Sequence, residues 1–221
     1  MTIYIFYFLI SVIVAVLGCG LILLLTLKII RKFPLTPRLE KIDAVIDTIL
    51  LDNAFRRALM GPQRILPELR LTPGLTVLEI GPGPGMFTTA VAKSIFPNGS
   101  LTSLDIRPAF FYRIKKKLNI VGIHHVTLQK GNAEKLPFDD KRFDLVFFIG
   151  VLGEIENKNA ALLEAYRVLK KGGSLSITEL RFDPSYLSPD VVHKLATSAG
   201  FHLDSDYRRL LHHTQRFTAH K

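Results

Sequence analysis

The chain has one cysteine in 221 residues, so no intramolecular disulfide can form and a reducing compartment is expected. No Cys/His group has metal-ligand spacing, and no metal is expected. His124-His125 and His212-His213 are adjacent pairs, which on a strand point to opposite faces. Charge is also missing in places. Residues 1–27 contain no Asp, Glu, Lys or Arg, and residues 106–130 contain no acid. No internal repeat, low-complexity tract or domain-sized insertion is seen. No RNA- or DNA-binding module is visible either, so no nucleic-acid partner is expected.

Apolar residues make up 48% of the chain, and the net charge is +10. The first 27 residues explain much of the apolar excess. Ile3 to Leu27 is long enough to cross a bilayer as a helix, for which about 20 residues suffice. Tyr4 and Tyr7 lie where an aromatic belt would sit. Lys28, Arg31, Lys32 and Arg38 follow, with no acid before Glu40. By the positive-inside rule this flank is cytoplasmic, giving a single-pass anchor with the rest of the chain in the cytoplasm. Residues 1–33 are therefore expected to be an anchor with a basic flank. Residues 34–71 form a helical linker or lid, and residues 72–221 one domain of ordinary size. Within the linker, Leu39, Ile42, Val45, Ile46, Ile49 and Leu50 recur at helical spacing after the Thr36-Pro37 start signal. This amphipathic helix, expected over 37–60, has two open destinations: the membrane surface or the domain.

The domain is organised around Glu79-Ile80-Gly81-Pro82-Gly83-Pro84-Gly85. Leu75 to Ile80 reads as a buried strand, and Phe87 to Ser94 as a helix. The glycines let the backbone turn sharply and pass close to a ligand. Leu101 to Asp105 is a second strand that ends in a carboxylate about twenty residues beyond the loop. That is where a dinucleotide-type fold puts the acid that accepts from ribose hydroxyls. The alternative for Asp105 is a cap on the helix starting near Pro108. Further strands are expected at 125–129, 143–149 and 173–178, and helices at 86–95, 108–118, 157–169 and 188–198. This alternation implies a parallel sheet covered on both faces.

The Glu79–Gly85 stretch resembles motif I of the class I S-adenosylmethionine-dependent methyltransferases, in particular the type 11 group. The resemblance continues through Leu104-Asp105-Ile106, Gly131-Asn132-Ala133-Glu134-Lys135-Leu136-Pro137-Phe138, Phe143-Asp144-Leu145-Val146 and Glu164-Ala165-Tyr166-Arg167-Val168-Leu169-Lys170-Lys171-Gly172-Gly173. It covers roughly residues 70–221 and implies a Rossmann-like α/β sandwich. The sheet would have seven strands, mostly parallel, with Phe201–Asp206 and Thr214–Ala219 as a final antiparallel hairpin. It also implies S-adenosylmethionine as cofactor. Gly81, Pro82, Gly83 and Gly85 would lie along its methionine part, with Glu79 near the amino group or satisfying loop N–H groups. Asp105 would take the ribose, Ile106 the adenine face, and Asn132-Ala133 the adenine edge, where many relatives have Asp-Ala. Gly150 would border the sulfonium.

The acceptor side is less legible. Relatives often have His before Glu at the position of Gly153-Glu154, and here that His is absent. Glu154, Glu179 and His193 are the weak candidates for a base. Phe110-Phe111-Tyr112-Arg113-Ile114-Lys115-Lys116-Lys117 reads either as a patch resting on anionic lipid or as an ordinary solvated helix. The expected function is a membrane-anchored transfer of a methyl group to a small lipophilic acceptor: a quinone or phenol, a thiol or a lipid headgroup. The alternatives are a membrane-located modifier of protein or nucleic acid, or a non-catalytic binding scaffold.

Overall fold

The computed structural model describes residues 60–220. The expected anchor of residues 3–27, its basic flank and all but the last residue of the 37–60 helix lie outside them. Among the described residues, no helix is long and apolar enough to cross a membrane.

The order of elements is α1 (Pro62–Leu69), β1 (Thr76–Ile80), α2 (Thr88–Ser94), β2 (Ser100–Asp105), α3 (Phe111–Ile120), β3 (Val126–Lys130), β4 (Phe143–Ile149), α4 (Lys158–Val168), β5 (Leu169–Leu180), α5 (Pro189–Ser198), β6 (Phe201–Arg208) and β7 (His212–Ala219). Short 3-10 turns at Pro108–Phe110 and Leu152–Glu154 precede α3 and α4. The seven strands form one sheet in the order β3-β2-β1-β4-β5-β7-β6. The first five pair in parallel, and β7 runs antiparallel to both β5 and β6. The order reverses between β1 and β4, and sheets of this kind bind ligands at the carboxyl ends beside that point.

Each strand feeds both faces, so its residues alternate between two cores rather than between core and water. Leu78, Ile80, Val146, Phe148, Leu175 and Ile177 pack with α4 and α5 on one face. Val77, Leu101, Leu145, Phe147 and Leu180 pack with α1, α2 and α3 on the other. The strands and helices expected within residues 72–220 are all present, with shifted ends. α4 stops at Val168 and runs straight into β5, because Leu169 already pairs with Phe143. The strand therefore begins four residues before the expected 173.

α1 packs against a part of the chain remote in sequence. Its Ile65 and Leu69 are fully buried, each contributing about 2 kcal/mol. Its carboxyl end is clipped to the last hairpin. The buried Glu68 carboxylate bonds to Arg209 Nε at 2.9 Å and His212 Nε2 at 3.1 Å. Arg70 bonds to Asp204, Ser205 and Tyr207, and Arg216 donates to the Leu69 carbonyl. Burial alone would raise the Glu68 carboxyl. Hydrogen bonds with His212, Thr214 and Arg209 outweigh it and hold the pKa below the ordinary value. His212 and His213 point to opposite faces as expected: His212 bonds to Glu68, and His213 bonds to Leu187 on the other side.

Candidate functional site at the carboxyl edge

β1 delivers its carboxyl end to the glycine loop. Gly81, Gly83 and Gly85 all have positive φ, from 51° to 75°. Their reasons differ. A Cβ on Gly81 would meet Val151 at 2.5 Å and one on Gly85 would meet Ile114 at 2.8 Å, so close packing excludes both. A Cβ on Gly83 would meet nothing within 4 Å. The space beside Gly83 is thus left open by the protein itself. Pro82 accepts from Gly85 N–H at 2.9 Å, closing the turn.

Asp105 ends β2 beside this loop. One carboxylate oxygen accepts from Gly83 N–H at 3.3 Å, and the other from Arg107 N–H at 2.8 Å. The carboxylate therefore ties the loop to the neighbouring strand and shapes its own turn. Ile106 follows it, 61% exposed, an apolar side chain without protein cover. Asn132 turns back on itself: its side-chain oxygen accepts from Glu134 N–H at 2.9 Å, while Ala133 is buried. One acceptor position of Asn132 is therefore already used in its own turn.

Glu79 is fully buried below the loop and bonds to no loop N–H. Its carboxylate accepts from Ser103 Oγ at 2.6 Å and Thr88 Oγ1 at 2.8 Å. Burial raises its pKa to about 7, against the pull of those two hydroxyls; nearby Asp105 adds to the rise and Lys117 opposes it. Lys117 is a correction to the expected surface patch. Its Nζ donates to the Pro84 and Gly85 carbonyls at 2.7 and 3.2 Å. It lies one turn from the buried Ile114 and on the same helix face. That spacing was the available signal, obscured by the run of three lysines. Tyr112, Lys115 and Lys116 are the exposed members of the stretch.

The Leu136-Pro137-Phe138 segment and the α4 motif meet in space. Glu164 accepts from Leu136 N–H at 2.7 Å, and Arg167 donates to the Leu136 and Phe138 carbonyls and to Asp140. These residues hold the β3–β4 connection in place.

On the β4–β5 side, Gly150 (φ 63°) donates to Thr178 O at 2.8 Å, and a Cβ there would press on Leu180. A Cβ on Gly153 would fall 1.9 Å from the Ser185 carbonyl oxygen. The histidine that relatives often carry here has no room, which is the physical reason for the departure. Glu154 is exposed in the short turn. Glu179 is buried, at 1% exposure, and its pKa is pushed up to about 8, first by burial and further by Asp183 and Glu154, against the pull of the Leu187 and Gly153 amides. His193 is exposed on α5 and stacks on Phe217 at 6.4 Å between centroids. Phe217 pairs with Leu175, mid-strand, so His193 is not brought to the carboxyl edge. His213, buried beside Glu179, was not singled out by sequence reasoning, because the pairing depends on hairpin register.

Residues 78–177 match the model of a family described as "Methyltransferase domain". A crystal structure of an S-adenosylmethionine-dependent methyltransferase from Aquifex aeolicus superimposes with a TM-score of 0.72 at 22% identity, covering 84% of this chain and all of that one. The fold is that of the S-adenosylmethionine-dependent methyltransferases. The ubiquinone/menaquinone biosynthesis C-methyltransferase UbiE of Shewanella pealeana is 35% identical over 108 residues, 48% of this chain and 43% of that protein. A demethylmenaquinone methyltransferase of Listeria welshimeri is 31% identical over 137 residues, 62% of this chain and 58% of that protein. The chain thus spans about half the length of the curated relatives it matches. Among the described residues, no group of three or more His, Cys, Asp or Glu is arranged to hold a metal ion.

Proposed function

We propose that the chain transfers a methyl group from S-adenosylmethionine to a lipophilic quinol-type acceptor. The observation that carries this reading is the junction of β1 and β2. An open face at Gly83, the Asp105 carboxylate that ties the loop to β2 and an exposed Ile106 are gathered at one end of the sheet. These features fit an adenosyl donor: Gly83 leaves room for close backbone approach, Asp105 places a carboxylate at the strand end where ribose hydroxyls would lie, and Ile106 offers an apolar face to the base. Bound there, the cofactor supplies an electrophilic methyl group on a sulfonium. The protein's part is then to hold donor and acceptor at near-attack distance and keep water out. Glu79, Ser103, Thr88 and Lys117 fix the loop from beneath rather than reaching the donor themselves.

The choice of acceptor draws on the quinone-methylating relatives and on the apolar run of residues 3–27, which would keep the chain beside substrates dissolved in the bilayer. Anchoring through that run, with the domain on the cytoplasmic side, is part of the same proposal. The test is incubation of the full chain with labelled S-adenosylmethionine and a demethylated quinol in detergent or nanodiscs. Label in the organic extract supports the reading. Label confined to protein or RNA would replace the acceptor with a macromolecule.

A further inference from the structure

At the far end of the carboxyl edge, Glu179 of β5 pairs directly with His213 of β7. Paired residues of antiparallel strands project to the same face, with Cβ atoms about 5 Å apart. Both side chains are essentially fully buried, at 1% and 0% exposure. They also grip the same residue. Leu187 N–H donates to Glu179 Oε2 at 3.4 Å, and His213 Nε2 donates to the Leu187 carbonyl at 2.9 Å. Tyr186 sets its ring edge-on to His213 at 5.7 Å. The intervening segment is folded on itself through Asp183, which accepts from Ser185 N–H at 2.8 Å and Tyr186 N–H at 3.0 Å. Its other side rests on the loop after β4, where the Ser185 carbonyl leaves no room for a Cβ on Gly153.

We infer that Glu179 and His213 are a positioning pair that latches residues 181–187 shut over the acceptor side of the site, and that the latch holds only while both side chains are uncharged. The inference rests on the methyl-transfer reading for its consequence, but not for its geometry. Because Nε2 carries the donated proton, Nδ1 of His213 holds the lone pair, and it is buried without a hydrogen-bond partner. Glu179 Oε1 is likewise buried and unpartnered. An ion pair between the two would bring Oε1 against Nδ1, which is not the arrangement found. Charging His213 would place a second N–H where no acceptor lies. Ionising Glu179 would leave a buried charge with one bare oxygen.

The surrounding charges agree. Asp183 on the segment and Glu154 on the loop after β4 raise Glu179 further, while Asp206 on β6 favours and Arg181 and Arg208 disfavour a charged His213. Burial dominates both, so His213 is held below its ordinary value and Glu179 above it. In the window between, the segment is closed and water is excluded from the acceptor side. Outside it, opening the segment lets water reach whichever group has become charged.

Hydrogen exchange of the amides of Phe182, Asp183, Ser185, Tyr186 and Leu187 in the full chain tests this, with intrinsic rates corrected for pH. Protection in the unaltered protein is expected to fall roughly tenfold per pH unit above pH 8. It is also expected to fall at acid pH, once His213 charges. Glu179→Gln should abolish the alkaline loss and His213→Gln the acid loss, each keeping the other limb. Protection independent of pH in the unaltered protein would overturn the latch, whatever the variants do. So would an alkaline loss that persists in a folded Glu179→Gln. The pH profile of kcat provides the second readout, its alkaline limb moving upward in Glu179→Gln. A chain that binds S-adenosylmethionine but methylates no quinol would defeat the acceptor assignment while leaving the exchange result standing.

Discussion

Glu79 and Glu179 are both buried carboxyl groups near the carboxyl ends of parallel strands, and burial raises both. Glu79 is met by two hydroxyls at 2.6 and 2.8 Å from its own strand's neighbours. Glu179 has one amide at 3.4 Å, a weaker pull from the Gly153 amide, and an Oε1 without a full hydrogen bond. The proposed donor side of the edge is thus a tightly bonded platform, built from chain segments close in sequence. The proposed acceptor side carries a strap held on weaker and fewer bonds. A platform suits a cofactor that always binds in one pose, whereas a strap suits an acceptor that must enter and leave.

The largest effect that bears on this contrast is on stability. Glu79 titrates near pH 4.5 unfolded and about 7 folded. The folded state therefore binds the extra proton, and its contribution is full below pH 4.5 and lost as pH rises through 7. The loss is about 3 kcal/mol from the shift, and Glu79→Gln should flatten it in urea titrations at pH 5 and 8. Segment 181–187 should exchange no differently in that variant. Gly153→Ala should drive Ser185 away and lower methyl transfer about 100-fold, with donor affinity unchanged by calorimetry. If donor affinity falls equally, the two sides are not separable. Lys117→Met should weaken donor binding about tenfold by freeing the Pro84 and Gly85 carbonyls, a loss of the order of one charge-assisted hydrogen bond. Arg70→Ala removes an exposed ion pair with Asp204 and should cost under about 1 kcal/mol in thermal melts.

The same contrast governs what the sequence could tell. Gly81–Gly85 and Asp105 are legible because one strand, one loop and the next strand bring them together in two dozen residues. The alternating apolar runs likewise foretold β1 to β5 and the four helices between Thr88 and Ser198 to within a few positions, while the final hairpin was expected from the resemblance alone. Lys117 was misread because three consecutive lysines hide which one shares the face of Ile114. His213 and the grip on Leu187 were out of reach, since they depend on the register of β7 against β5 and on a loop between them. The packing of α1 on the last hairpin, through Glu68 with His212 and Arg209, is a long-range match of the same kind. Gly153 looked like a missing histidine until the Ser185 carbonyl supplied the reason.

Calorimetric titration of S-adenosylmethionine into the full chain and into Asp105→Ala, with melts confirming that both are folded, bears on the whole proposal. Micromolar binding to the unaltered chain, weakened by about ten- to a hundredfold in the variant, is the expected result. Equal affinity in the two, or no binding to the unaltered chain, would contradict the placement of the donor at the β1–β2 junction.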